Sequence, residues 1–131
     1  MGTNDIDLSS LHSAVRQMER ALSKPPANDL EKAGCIQVFE YTFELSWKMM
    51  RRHIIWANSE EDMVLNRKDI FREAAALGLI DDPEQWFLYQ KARNTTSHLY
   101  DESKAQGVYE SAVEFLPDVR MLLERLIDRH A

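Results

Sequence analysis

Apolar residues recur along most of the chain at steps of three and four, the spacing that places them on one face of a helix. This pattern predicts a first helix from Ile6 to Ser23 and a second helix from about Leu30 to about Ala57. Between them, Lys24-Pro25-Pro26-Ala27 breaks the helical pattern because proline lacks a backbone donor. Asn28 or Asp29 can then cap the second helix.

The second predicted helix is apolar on two sides, whereas a surface helix is usually apolar on one. Because each apolar side needs a neighbour to cover it, we expect this helix at the centre of a bundle or at the seam of an oligomer. The residues concerned are Ile36, Phe39, Phe43, Trp47 and Met50 on one side and Val38, Tyr41, Leu45 and Met49 on the other.

The second half of the chain begins with a predicted loop from Asn58 to Asn66, which is acidic and irregular. A short third helix is expected from about Lys68 to Leu77 and should end at Gly78. Asp82-Pro83-Glu84 is a helix start, since a capping residue precedes a proline and an acid in the first turn. The fourth helix therefore runs into the polar segment that begins at Arg93.

The last apolar stripe begins at Val108 and is interrupted by Pro117, which predicts a kink or a helix boundary. The polar stretch from Asp101 to Gly107 can hold either a break or a continuation. No stretch alternates with period two for long enough to make a strand. We therefore expect an all-α fold, an up-and-down bundle of four long helices plus a short one, in a single domain over residues 1–131.

Composition narrows the range of functions. The chain has 131 residues, of which 44% are hydrophobic and 29% charged, the balance of a folded globular protein. Its formal net charge of -6 argues against non-specific coating of nucleic acid, because that mode needs clustered lysine and arginine. The only cysteine, Cys35, is expected to be a small buried residue. We find neither a signal peptide nor a transmembrane stretch, so we expect no membrane and a cytoplasmic location.

The segment Arg93-Asn94-Thr95-Thr96-Ser97-His98 has six consecutive polar side chains, where a bundle helix would alternate apolar and charged ones. On an ideal helix Asn94 and His98 would lie one turn apart on one face, and Arg93 and Tyr100 would share a neighbouring face. Arginine offers a planar, permanently charged fork for phosphate, and histidine exchanges a proton near neutral pH. This combination favours phosphodiester chemistry.

Metal-independent RNA cleavage through the ribose 2′-hydroxyl needs a base, an acid and a cation that stabilises the charged phosphorane. In one chain this segment has one histidine, His98, which cannot be the base and the acid at once. A twofold dimer that brings two copies of Arg93 and His98 to one cleft would complete the site. The alternative is that these side chains are solvated, or paired with neighbours such as Asp101 and Glu102. The residue pattern by itself leaves both interpretations open.

The segment Arg93-Asn94-Thr95-Thr96-Ser97-His98-Leu99-Tyr100 contains the motif of the HEPN superfamily. That motif is arginine-asparagine, three residues of any type, histidine, one residue of any type and tyrosine. The stretch Phe39-Glu40-Tyr41-Thr42-Phe43-Glu44-Leu45-Ser46-Trp47-Lys48 resembles the long-helix signature of one HEPN branch. That branch is the nucleotidyltransferase substrate-binding protein family, which is related to the HepT toxins. The resemblance extends over nearly the whole chain, including residues 69–80.

The resemblance implies a HEPN-type homodimer that is the substrate-binding or partner subunit of a minimal nucleotidyltransferase in a two-gene, toxin-antitoxin-like system. The alternative that it implies is a metal-independent endoribonuclease toxin, neutralised by that nucleotidyltransferase, in some members by adenylylation of the motif tyrosine. Arg93 and His98 would then be catalytic, Asn94 would orient or support them, and Tyr100 would be the modified hydroxyl. RNA or a nucleotide would be the ligand, and nothing indicates that the chain itself transfers nucleotides.

Glu40, Glu44 and Lys48 recur at four-residue steps and form one polar line on the second helix. A carboxylate of this line would orient the imidazole of His98 if both face the same groove. The ordinary alternative is a surface ion pair between Glu44 and Lys48. The resemblance favours a supporting or substrate-binding role for Glu44.

The remaining histidines lack ligand-like spacing to acids or to the cysteine, so we expect no metal site and no cofactor. The tryptophans fall on apolar stripes and are expected in the core or in an interface. These residues are His12, His53 and His130, and Trp47, Trp56 and Trp86.

Overall fold

The computed structural model describes residues 6–58 and 65–130, and in these ranges it contains helices and no strand. The elements are α1 (Ser9–Ala21), α2 (Asp29–Asn58), α3 (Arg67–Ala76), α4 (Pro83–Asn94), a 3₁₀ helix (Thr95–His98) that we call the motif turn, and α5 (Glu102–His130). The prediction of an all-α bundle is confirmed. The helices are unequal, since α2 has 30 residues and α5 has 29, whereas α1, α3 and α4 have 13, 10 and 12.

Most of the predicted helix bounds hold to within three residues. The first helix is shorter than the predicted Ile6 to Ser23, because Asp7 accepts a backbone hydrogen bond from Ser9 at 2.9 Å and the helix begins there. Of the loop predicted at positions 58–66, residues 59–64 lie outside the described residues.

The start of α2 is fixed by two side chains that satisfy open backbone donors. Oδ1 of Asn28 accepts a hydrogen bond from the backbone nitrogen of Glu31 at 2.8 Å, so Asn28 is the cap. The carboxylate of Glu31 accepts one from the backbone nitrogen of Ala27, also at 2.8 Å. This reciprocal arrangement explains why the helix resumes directly after the prolines.

A glycine and a capping aspartate form the turn between α3 and α4, as predicted. Gly78 has a φ of 80°, a left-handed conformation that favours glycine, and the backbone nitrogen of Leu79 donates to the carbonyl of Ala74 at 2.8 Å. Asp82 then caps α4 by accepting a hydrogen bond from the backbone nitrogen of Glu84 at 3.0 Å. The turn directs α4 toward the polar segment.

The last helix, α5, runs through Pro117 without being divided, so the predicted boundary at this proline is wrong. Phe115 and Val119, on either side of it, are fully buried, and their packing holds both turns in one helix. The carbonyl that the proline leaves unpaired belongs to Val113, whose side chain is 47% exposed. The break within the polar stretch falls just before Glu102.

The core is centred on one aromatic side chain of α2, Phe43, which is fully buried. The centre of its ring lies 6.0 to 6.2 Å from the centres of four other aromatic rings, namely Phe39, Phe71, Trp86 and Phe115. Because these rings belong to α2, α3, α4 and α5, a single side chain connects four helices.

The long helix α2 contacts all four other helices, which confirms the expectation that it has neighbours on two sides. Cys35 is buried, as expected. Among the tryptophans, Trp86 is buried and Trp47 is partly buried, but Trp56 is 42% exposed and is not a core residue. No helix of the described residues is long and apolar enough to cross a membrane.

Candidate functional site

The polar segment does not continue α4 as an ideal helix. The α-helix ends at Asn94, and Thr95–His98 forms the motif turn, so the prediction that Asn94 and His98 share one helix face is wrong. The hydroxyls of Thr95 and Thr96 lie 3.0 Å and 2.8 Å from the carbonyl oxygens of Lys91 and Arg93. Hydroxyls that bond to carbonyls in this way compete with regular helical bonding, which explains the change of geometry.

Arg93 is held in position by two glutamates of α2. Its Nη1 lies 3.2 Å from Oε2 of Glu40, and its Nε lies 3.3 Å from Oε2 of Glu44. The hydroxyl of Thr96 lies 2.9 Å from the same oxygen of Glu40 and 3.4 Å from Nη1 of Arg93. Glu40 therefore connects α2 both to Arg93, at the end of α4, and to Thr96, in the motif turn.

The predicted polar line on α2 is thus divided between two environments. Glu44 pairs with Arg93 and, more weakly, with Arg67, so the alternative of a surface pair with Lys48 is wrong. Lys48 instead has its Nζ 5.9 Å from the centre of the Trp47 ring. Neither carboxylate of the line contacts His98, so they position the arginine of the motif and not its histidine.

A second arginine, which the sequence analysis missed, lies beside the first. The guanidinium carbon of Arg67 lies 3.7 Å from the centre of the Trp47 ring, and its Nη1 donates to Oε1 of Gln90 at 2.7 Å. Nε2 of Gln90 in turn donates to Oδ1 of Asn94 at 3.0 Å. The spacing of Gln90 and Asn94 was a readable signal for their contact, but nothing in the sequence places α3 against α2 at this point.

The other two motif residues form a separate, exposed pair. Nδ1 of His98 and the hydroxyl oxygen of Tyr100 are 3.3 Å apart, and their rings meet edge to face. Tyr100 is 83% exposed, and His98 is also exposed. Neither makes an ion pair with a described residue, so the alternative of pairing with Asp101 or Glu102 is wrong for His98.

The structure therefore brings the predicted site residues together as two groups. Arg93, Asn94 and Glu44 belong to one network on the inner side of the motif, while His98 and Tyr100 project from the motif turn and the residues after it. Within one described chain no hydrogen bond joins the two groups. Arg93, the cation that would bind a phosphate, is held by ion pairs. His98 and Tyr100, which would transfer a proton, are accessible to solvent.

Two of the histidines that lack ligand-like spacing in the sequence are paired with each other in the structure. Nδ1 of His53 lies 2.8 Å from Nε2 of His130, and the side chain of His53 is only 2% exposed. Burial, together with the charges of His130 and Arg129, lowers the pKa of His53 to about 4. Among the described residues, no three His, Cys, Asp or Glu side chains are placed to hold a metal ion.

Comparison with known proteins gives consistent results. Residues 6–128 match the family model described as nucleotidyltransferase substrate binding protein like. A protein of Haemophilus influenzae (strain ATCC 51907 / DSM 11121 / KW20 / Rd), named probable ribonuclease HepT, is 44% identical over an alignment 143 residues long, gaps included, which covers 99% of this chain and 98% of the relative.

Two solved structures have a similar fold. The first is a Haemophilus influenzae protein described as revealing the fold of a substrate binding domain of a nucleotidyltransferase; it is 37% identical, with a TM-score of 0.84, over 92% of this chain and 98% of that one. The second, from Thermus thermophilus, is 25% identical, with a TM-score of 0.76, over 88% of this chain and 98% of that one.

Proposed function

The chain belongs to the nucleotidyltransferase substrate binding protein like family, and from this we propose that it is the partner subunit of a minimal nucleotidyltransferase. In this proposal residues 1–131 act as one HEPN-like domain, two copies form a homodimer, and the two proteins make a toxin-antitoxin-like system in the cytoplasm. The nucleotidyltransferase catalyses the transfer of a nucleotide, and this chain provides the side chain that accepts the nucleotide.

The observation that carries the proposal is the accessibility of Tyr100. A tyrosine that is 83% exposed, at the junction of the motif turn and α5, can enter the active site of another enzyme without any unfolding. In the proposed reaction its oxygen attacks the α-phosphorus of a nucleoside triphosphate and pyrophosphate leaves. Nδ1 of His98, at 3.3 Å, is in position to accept the phenolic proton.

The test is to co-express this chain with a minimal nucleotidyltransferase encoded beside it and to purify one protein through a tag on the other. A stable complex, together with the mass of one nucleoside monophosphate on the peptide that contains Tyr100, would support the proposal. The variant Tyr100→Phe should lose the added mass, whereas Tyr109→Phe, a half-buried tyrosine of α5, should keep it. If the two proteins neither copurify nor change in mass, the proposal is wrong.

A second candidate is a metal-independent endoribonuclease, and the arrangement of Arg93 and His98 favours it. Arg93 is a cation held by two glutamates, and five residues later the motif presents an exposed histidine that no carboxylate of the described residues contacts. The 2′-oxygen of RNA would attack the adjacent phosphorus, and the 5′-oxygen would leave, giving a 2′,3′-cyclic phosphate and a 5′-hydroxyl. One His98 would remove the 2′ proton and the His98 of a second copy would protonate the leaving oxygen, while Arg93 stabilises the phosphorane. Asn94 would orient or support Arg93 and His98.

This candidate is tested by expressing the chain alone and following growth and total RNA, then by assaying the purified protein in the presence of EDTA. We expect growth arrest and RNA cleavage, both abolished by His98→Ala. The matched control is His12→Ala, an exposed histidine of α1 outside the motif, which should behave as wild type. Sedimentation should show a dimer. An inactive wild-type chain that still binds its nucleotidyltransferase would reject the nuclease and leave the first proposal standing.

A further inference from the structure

Arg67, the first residue of α3, lies outside the motif but joins its network. Its guanidinium carbon is 3.7 Å from the centre of the Trp47 ring, and the side chain is 35% exposed. Among the described residues, Nη1 is the atom with partners: it donates to Gln90 at 2.7 Å and lies 4.0 Å from Oε2 of Glu44. Among the described residues the other guanidinium donors have no acceptor. The planar fork is thus oriented by the indole while most of its donors are unused.

Within residues 6–58 and 65–130, the charge of Arg67 is only weakly compensated. Oε2 of Glu44 is already 3.3 Å from Nε of Arg93, whereas its 4.0 Å separation from Arg67 is too long for a hydrogen bond. Glu40, the other nearby carboxylate, pairs with Arg93 and the hydroxyl of Thr96. An incoming anion can therefore bind Arg67 without displacing a well-formed ion pair.

The position of Arg67 relative to Arg93 fits a nucleic-acid strand. Both arginines lie against the same oxygen of Glu44, so Nε of Arg93 and Nη1 of Arg67 are at most about 7 Å apart. Neighbouring phosphates of one RNA strand are also several ångströms apart, so one strand can present a phosphate to each arginine within this upper limit. Because both arginines reach one oxygen of Glu44, a single anion can also lie between them, but only a polynucleotide supplies a separate phosphate to each.

We propose that Arg67, stacked on Trp47, is a second phosphate-binding arginine and holds the RNA backbone phosphate next to the one that Arg93 stabilises. The inference rests on the ribonuclease candidate and extends its site from α4 to α3. Trp47 holds the guanidinium in a fixed plane, which reduces the side-chain entropy lost on binding.

The same arginine also positions a motif residue. Because Arg67 donates to Oε1 of Gln90, the amide nitrogen of Gln90 faces Asn94 and donates to its Oδ1. Asn94 is an exposed residue, and its amide nitrogen, which has no acceptor among the described residues, can donate to the RNA. Gln90 is accordingly a positioning residue that connects the two arginine-bearing helices.

The experiment measures RNA binding separately from cleavage. All variants carry His98→Ala, and the fluorescence anisotropy of a short, labelled single-stranded RNA of mixed sequence is titrated at several salt concentrations. We expect Arg67→Ala to weaken binding about tenfold and to reduce the slope of log affinity against log salt by about one. Arg67→Lys should retain most of the slope but not all of the affinity, because lysine keeps the charge and loses the planar fork.

The matched control is Arg72→Ala on the same helix, since the guanidinium carbon of Arg72 also lies over an aromatic ring, 5.5 Å from the centre of Phe87. It should leave both affinity and slope unchanged. Equal slopes for Arg67→Ala and Arg72→Ala would overturn the inference, as would dissociation of the dimer by Arg67→Ala, which would make this residue an interface contact. Failure of the His98→Ala protein itself to bind RNA would overturn the ribonuclease candidate as well.

Discussion

Nδ1 of His98 lies 3.3 Å from the hydroxyl oxygen of Tyr100, and both side chains are exposed to solvent. The atom that we propose as the site of nucleotide attachment is therefore in contact with the group that we propose as the proton carrier. A nucleotide on this oxygen would put a phosphodiester against the imidazole. Modification and inhibition would then be one event.

The first prediction concerns Tyr100→Phe, which removes the hydroxyl and keeps the ring. We expect the variant to cleave RNA at a rate within about threefold of wild type, because Arg93 and His98 remain, whereas its activity no longer falls after incubation with the nucleotidyltransferase and ATP. The measurement is RNA cleavage before and after that incubation. Silencing of the phenylalanine variant by the partner would show that the inhibitory modification lies elsewhere.

The second prediction concerns Glu40→Gln, which preserves shape and removes the charge that faces Arg93 and Thr96. Because the ion pair is about one-third exposed, its loss should change the free energy of unfolding by less than about 1 kcal/mol. RNA cleavage should fall about tenfold, since Arg93 keeps only its ion pair with Glu44 and is positioned less precisely.

Chemical denaturation and a cleavage assay on the same preparation separate the two effects of Glu40→Gln. Glu124→Gln, at an exposed position of α5, serves as the control and should change neither quantity. Activity equal to that of the control would mean that Arg93 does not need this carboxylate.

The third prediction concerns Phe43→Ala, at the point where aromatic rings from four helices meet. Deleting this fully buried ring should lower the free energy of unfolding by about 3 to 5 kcal/mol, because transfer energy is lost and a cavity remains. Leu30→Ala, at a leucine that is 83% exposed, should change it by less than about 0.5 kcal/mol. Urea denaturation followed by circular dichroism measures both, and similar values for the two variants would contradict the assignment of the core.

The fourth prediction is a pH dependence of stability caused by His53. Its pKa in the folded protein is about 4, compared with an ordinary value of 6.5, because the side chain is buried beside His130 and Arg129. Between these two values the unfolded chain binds more protons than the folded chain. The free energy of unfolding should therefore fall as the pH decreases from about 6.5 to about 4, by at most about 1.4 kcal/mol per pH unit.

A series of urea denaturation curves over this pH range tests the assignment to His53. His53→Gln should flatten the dependence, whatever its effect on stability at neutral pH. His12→Gln, at an exposed position of α1, should retain the wild-type slope. An unchanged slope in His53→Gln would assign the dependence to other groups.

The parts of the fold that could be predicted depend on signals within a few residues of each other. The Asn28 and Asp82 caps and the left-handed Gly78 each depend on local hydrogen bonds, so the sequence located them to within one or two residues. The uninterrupted α5 was missed because the packing of Phe115 and Val119 outweighs the single bond lost at Pro117.

The site was predictable in composition but not in arrangement. The motif identifies Arg93 and His98, but it does not reveal that threonine hydroxyls end α4 between them. The contacts of Arg67 with Trp47, and of His53 with His130, join positions far apart in the chain and depend on how helices pack. The hydrophobic and polar periodicity of a single sequence does not indicate contacts of this kind.

The number of residues in the motif turn determines the direction in which the side chains after it project. A 3₁₀ helix advances about a third of a revolution per residue. One residue inserted or deleted within Thr95–His98 would rotate the side chains of His98 and Tyr100 together around the helix axis. Arg93 would stay paired with Glu40 and Glu44. The two rings would keep their mutual contact and lose their position relative to Arg93, so the length of this segment matters together with its two threonine hydroxyls.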